Sequence, residues 1–265
     1  MQTAAFLVLS TVLICACASP AHRIDAVARN ANFQKQVEWG SGFRHVIYRN
    51  AAATQTGVLH VYIEGDGTPY RRPDTAASDP TPRNPLMLRL MVLDPTRSIY
   101  LGRPCYFEPN RDRACDPIFW TLRRYGPEVL DSMAAVLRLE AERAGADRIE
   151  LFGHSGGGTL AVLLSQRLNN VTRVITLGAN LDTAAWCKLH HYTPLSGSEN
   201  PADTQPQPNP GGIQILHLVG TDDTNTPPSL VIAAAHARGD EPVRVVAHFS
   251  HSCCWETTWA DVLRE

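Results

Sequence analysis

A chain of 265 residues, 44% of them hydrophobic, can bury a substantial core, and one large α/β domain accounts for this length as well as two smaller ones. The formal net charge is −2 and the basic residues are scattered, nearly all of them arginine, with lysine only at Lys35 and Lys188. That balance gives no footing to nucleic acid or another polyanion as a partner.

The first residues, 1–18, read as a signal peptide: an apolar stretch from Ala4 to about Ala16, too short to span a bilayer, is followed by small residues. Two processing sites fit. Ile14-Cys15-Ala16-Cys17 resembles a bacterial lipobox, which would leave a lipid on Cys17 and attach the protein to a membrane. Ala16-Cys17-Ala18 fits ordinary signal peptidase. Either implies export to the cell envelope, periplasmic or lipid-anchored, with secretion as the alternative. In an oxidising compartment the remaining cysteines should pair. Cys105 with Cys115 closes a short loop and is the preferred disulfide; Cys187 with Cys253 or Cys254 would be a second, leaving one thiol over.

From about residue 40 to residue 265 short β-rich runs alternate with longer helical patterns, the mark of a single domain with a mainly parallel sheet of about seven or eight strands between helices, without a large cap. The strands expected in chain order are Phe43–Tyr48, Gly57–Ile63, Ser98–Leu101, Arg148–Phe152, Val174–Leu177, Ile213–Val219 and Val243–Ala247. Several are apolar on both faces, as buried parallel strands should be. Helices are expected over Pro127–Ala144, Gly156–Leu168, Pro228–Arg238 and Trp255–Leu263. Pro69–Pro85 and Pro194–Gly212 read as loops, the second lying where a short active-site lid would fit.

The chemistry centres on Gly153-His154-Ser155-Gly156-Gly157. A strand runs into this Gly-x-Ser-x-Gly motif and an apolar helix follows, which is the strand–turn–helix setting of a nucleophile elbow. The turn puts Ser155 at a helix N-terminus, where free N–H groups stabilise developing negative charge. The same glycines lack the lysine of a phosphate loop and the early position of a dinucleotide fingerprint. Neither Cys-x-x-Cys nor His-Glu-x-x-His occurs, so no metal or cofactor is expected.

A serine hydroxyl needs a base. His251 is the best candidate, just past the last strand. His248 still falls within strand periodicity, His154 should point away from the serine, and His217 reads as a core residue. His190, His191 and His236 read as ordinary surface or helix residues. For the carboxylate that orients the base, Asp223 is preferred over Asp222, both in the turn after Ile213–Val219. The order Ser155, Asp223, His251 is that of the α/β-hydrolase arrangement of this triad. Oxyanion donors are expected at the amides of Gly156 and of Asp66, with Gly67 as the alternative to Asp66, since Glu64-Gly65-Asp66-Gly67 follows an early strand.

Together these residues resemble the α/β-hydrolase superfamily over most of the chain after about residue 40. His60–Gly67, Gly102–Cys105, Trp120-Thr121…Arg124-Tyr125 and His251…Cys253-Cys254-Trp255 further resemble a group of bacterial exported or lipoprotein α/β-hydrolases. One departure stands out: many superfamily members carry His-Gly where this chain has Glu64-Gly65. An ionised Glu64 or Asp66 would oppose an oxyanion unless turned away or paired, with Arg71 or Arg103 as partner. The resemblance implies hydrolysis of a carboxylic ester, small or lipid-like, through an acyl-enzyme on Ser155. The alternatives are a thioesterase, peptidase or acyltransferase with the same triad, or a non-catalytic envelope binding protein on the same fold.

Overall fold

The computed structural model describes residues 19–51, 57–108, 112–204, 212–240 and 242–265. The expected leader, with Cys15 and Cys17, lies outside them. The chain begins with α1 (Pro20–Asn30), β1 (Gln34–Trp39), β2 (Arg44–Arg49) and β3 (Val58–Ile63), then the short hairpin β4 (Tyr70–Arg72) and β5 (Thr75–Ala76). It continues through α2 (Leu86–Val92), β6 (Ser98–Leu101), α3 (Pro127–Ala144), β7 (Arg148–His154), α4 (Gly156–Ser165), β8 (Val171–Leu177) and α5 (Thr183–His190). The last elements are β9 (Gln214–Gly220), α6 (Pro228–Arg238), β10 (Val243–Val246) and α7 (Trp259–Val262).

Eight strands form one sheet in the order β1-β2-β6-β3-β7-β8-β9-β10. β1 and β2 are antiparallel, β2 is antiparallel to β6, and every pairing from β6 through β10 is parallel. The expected mainly parallel sheet is therefore present, with one strand more than the seven named from sequence. That strand, β1, lies before residue 40 at the sheet edge; its Gln-Lys-Gln-Val-Glu-Trp sequence is almost wholly exposed, and Val37 and Trp39 are its only apolar residues, too few to mark a strand. α2 also escaped prediction because all but two of its residues are buried, leaving no polar face.

Alternation along the strands divides the core into two layers. Leu59, Val61 and Ile63 of β3 and Ile149 and Leu151 of β7 face α3, α4 and α6, where Val129, Met133, Leu163 and Val231 pack. Tyr62 and Phe152 point the other way, toward Ile24 of α1, Met87 and Leu90 of α2 and Trp259 of α7. α4 is buried along its whole length, which fixes the residue before it against the end of β7. Among the described residues no helix is long and apolar enough to cross a membrane.

Cys105 and Cys115 form the expected disulfide. The second expected pairing is corrected: Cys253 is bonded to its neighbour Cys254, and Cys187 is a buried free thiol. Cys187 sits inside α5 with its thiol on the Thr193 carbonyl at 3.5 Å, so it is packed into its own helix-to-loop corner instead of bracing the His251 loop.

Candidate active site

Loops leaving the carboxyl ends of parallel strands meet here, as ligand sites in such sheets do. β3 delivers Glu64 to Gly67, β6 delivers Arg103, β7 delivers Ser155, β9 delivers Asp223 and β10 delivers His251. They surround a cavity of about 760 Å³ whose lining includes Ser155, His251, Asp66, Arg124, Trp186 and Tyr192.

Ser155 has φ 52° and ψ −124°, backbone that a residue with a side chain rarely adopts and that costs about 1–3 kcal/mol. The turn is held on both sides. Its amide donates to the Leu177 carbonyl at the end of β8 at 2.9 Å, and its own carbonyl accepts from the amides of Gly158 at 2.9 Å and Thr159 at 3.2 Å. A side chain at Gly157 would place its Cβ 2.2 Å from the Ile63 carbonyl oxygen, so close packing of α4 on β3 requires glycine there. The motif glycine is thus set by sterics, and the serine sits half-buried at the tip of a strained turn. Its hydroxyl makes no hydrogen bond to a described residue.

The structure brings Asp223 and His251 together: His251 Nδ1 lies 2.8 Å from Asp223 Oδ2. Asp223 is 2% exposed, and its other oxygen accepts from the amides of Asn225 at 2.9 Å and Thr226 at 2.8 Å. Thr226 Oγ1 stands 3.0 Å from Asp223 Oδ2 and 2.9 Å from the Gly178 carbonyl, tying the acid loop to the end of β8. Burial alone would raise the Asp223 carboxyl, but the bonds from His251 and Thr226 outweigh it and hold it below its ordinary value. Burial pushes the His251 imidazole below its ordinary value despite Asp223, which favours the neutral ring. Asp222 is exposed and turned to the Thr221 hydroxyl at 2.9 Å, away from the histidine.

His154 does not turn away from the site as expected. Its Nε2 donates to the His251 carbonyl at 2.7 Å, where Trp255 Nε1 also donates at 3.3 Å. These two bonds anchor the loop bearing His251 from both sides. His190 and His191 are likewise nearer the chemistry than their sequence suggested: His190 donates to the Asn225 carbonyl at 2.7 Å and His191 lines the cavity. His217 is a core residue, with Nδ1 2.7 Å from Thr176 Oγ1. His248 lies outside β10, at φ 63°.

The acidic loop is resolved by pairing. Glu64 turns away, its carboxylate accepting from the Met87 amide at the start of α2 at 3.0 Å. Asp66 is held by Arg103 Nη1 at 2.5 Å, Arg124 Nη1 at 2.8 Å and the Tyr125 hydroxyl at 2.7 Å. The partner is therefore Arg103 together with Arg124, and not Arg71, which is exposed in β4. Burial would raise the Asp66 carboxyl, but the two guanidiniums dominate and keep it well below the usual carboxylate range. Two cations against one carboxylate leave no net negative charge from this cluster beside the serine. Asp66 also lies against the elbow: a Cβ on Gly156 would fall 2.0 Å from its Oδ1. The amides of Asp66 and Gly156 make no hydrogen bond to a described residue, which leaves both free to donate. Arg124 and Tyr125, in the turn before α3, were visible in sequence only as segments of the resemblance, because their role depends on a fold contact with Asp66 some sixty residues away.

No family model matches the chain, and no curated protein matches it. Solved structures do. An α/β serine hydrolase homologue from Coxiella burnetii is 14% identical, with a TM-score of 0.57, over 87% of this chain and 94% of that one. A proposed lipase from Acinetobacter baumannii AYE is 12% identical, with a TM-score of 0.61, over 94% of each chain. A puromycin-hydrolysing peptidase from Mycobacterium tuberculosis is 14% identical, with a TM-score of 0.62, over 88% of this chain but 38% of that one. At these identities the likeness is one of architecture, and it agrees with the sheet and elbow described above: the chain has the fold of the α/β-hydrolase superfamily.

Proposed function

We propose that the protein is a serine hydrolase that cleaves carboxylic esters through an acyl-enzyme. The observation that carries the proposal is the convergence on one cavity of a strained Ser155 with a half-buried His251 backed by the buried Asp223. In this reading Ser155 Oγ attacks the ester carbonyl while its proton passes to His251 Nε2. Asp223 holds the Nδ1–H and stabilises the imidazolium. The amides of Gly156 and Asp66 receive the oxyanion, and His251 returns the proton to the leaving alcohol. Water then hydrolyses the acyl group by the same route in reverse.

The cavity's wall of Trp186, Tyr192 and Leu195 favours an apolar acyl chain, and the lipase among the similar structures supports a lipid-like ester. The peptidase among them supports amide cleavage as a second reading with the same residues. Export, with a lipid on Cys17 as the anchor, belongs to the same proposal. A fluorophosphonate probe tests the chemistry. Stoichiometric labelling that disappears in Ser155→Ala is expected; folded protein that resists the probe would favour a binding protein on this fold.

A further inference from the structure

The His251 ring makes no hydrogen bond to Ser155. His251 Nε2, the nitrogen that must take the serine proton, lies 2.8 Å from Asn225 Nδ2. Trp186 fixes which way that amide points. Its Nε1–H stands 3.1 Å from the Asn225 carbonyl and 3.3 Å from Oδ1, and an indole nitrogen can only donate. Oδ1 therefore faces Trp186, and the NH₂ group faces His251. An NH₂ can only donate in turn, so Nε2 carries the lone pair and Nδ1 carries the hydrogen that Asp223 accepts. The tautomer is the one catalysis needs, but its reactive lone pair is occupied. Asn225, Trp186 and His251 all line the cavity beside the apolar wall of Tyr192 and Leu195.

We propose that Asn225 is a specificity-determining positioning residue: it holds His251 Nε2 in the resting enzyme and is displaced from it by a substrate group that occupies the cavity against Trp186. The inference rests on the serine-hydrolase reading of this site and adds a substrate rule to it. Esters whose acyl chain reaches Trp186 displace the Asn225 side chain and free the base; esters too short to reach it leave the base engaged. The backbone of Asn225 can stay in place during this movement, because its carbonyl is held by Trp186 and His190 and its amide by Asp223.

The test uses the full chain and two variants, Asn225→Ala and Trp186→Phe, the second keeping an aromatic wall while removing the N–H that orients Asn225. The first readout is the rate of Ser155 labelling by diisopropyl fluorophosphate, a probe with no long chain. It should rise about five- to tenfold in Asn225→Ala, the effect of releasing one hydrogen bond, and rise less in Trp186→Phe. The second is kcat/KM for p-nitrophenyl octanoate relative to p-nitrophenyl acetate. The wild type should prefer octanoate, and Asn225→Ala should lose that preference by gaining on acetate. The third is the acid limb of the pH profile, which should move upward in Asn225→Ala because a donor to Nε2 favours neutral imidazole. Asp223, His154 and Asp66, which also act on His251, are unchanged in that variant. Labelling that is equal or slower in a folded Asn225→Ala, with the chain-length ratio intact, would overturn the proposal and leave the serine hydrolase standing. Wild-type protein that is never labelled would remove both. If Asn225→Ala does not fold, the direction of change in Trp186→Phe decides.

Discussion

Among the described residues, two histidine–aspartate pairs have similarly short contacts, His251 with Asp223 at 2.8 Å and His60 with Asp94 at 2.6 Å. In the second, every polar group is spent internally. His60 Nε2 faces Glu150 at 3.4 Å, Asp94 also takes the Tyr62 hydroxyl at 2.7 Å, and that hydroxyl accepts from Trp259 Nε1 at 3.1 Å. Through the Tyr62 hydroxyl this network ties α7 to β3. The first pair sits past the strand ends, where its outer nitrogen reaches the cavity that Ser155 also lines. His45 makes the complementary point: its Nε2 is 2.7 Å from Ser132 Oγ, but both are fully buried and the other nitrogen meets the Gly102 carbonyl, not an acid. A short His–Asp or His–Ser contact is ordinary structural bonding. Access to the cavity and to the strained turn at Ser155 separates this pair from the other contacts.

The comparison can be broken by mutation. Ser155→Ala should lower kcat for p-nitrophenyl butyrate by about a million-fold, measured on protein whose melting curve matches wild type. Asp223→Asn should cost about ten-thousand-fold, because the amide no longer fixes the tautomer that leaves Nε2 free to accept. Asp94→Asn makes the same substitution in the other pair and should change kcat/KM by no more than about threefold. It should instead lower unfolding free energy by about 2 kcal/mol in urea titration, as expected for a damaged buried hydrogen-bond network. A large catalytic loss in Asp94→Asn would mean that the two pairs are not separable.

Acid titration sharpens the same contrast. Burial holds His251 below its ordinary 6.5, so the wild-type rate should fall only as pH drops through a value beneath that, where imidazolium replaces the base. His45 is pushed down to about 4 by burial, so the unfolded chain takes up its proton first. Its contribution to stability is complete above 6.5 and is lost as pH falls toward about 4, on the order of 3 kcal/mol in all. A His45→Gln variant should show a flatter acid limb in thermal unfolding and an unchanged rate profile.

Much of this site was legible because its parts are local. The elbow is five contiguous residues between a strand and a helix, and Asp223 and His251 each follow a strand of clear apolar pattern. What escaped is non-local. Arg124 and Tyr125 meet Asp66 only after α3 has packed on the sheet, and Asn225 gains its meaning from Trp186 on a different helix. The Cys253–Cys254 bond joins neighbours in the chain and needs no fold contact, so an expectation of pairing across the fold overlooks it. β1 was hidden for the opposite reason: an exposed edge strand buries too little to impose a pattern.

The central claim is that Ser155 carries the acyl group. Rapid acid quench of the protein during turnover of p-nitrophenyl butyrate, followed by peptide mass spectrometry, tests it directly. The account predicts a butyryl group on the peptide containing Ser155, and none in Ser155→Ala. Sustained turnover with no acylated peptide, or undiminished turnover in Ser155→Ala, would contradict it.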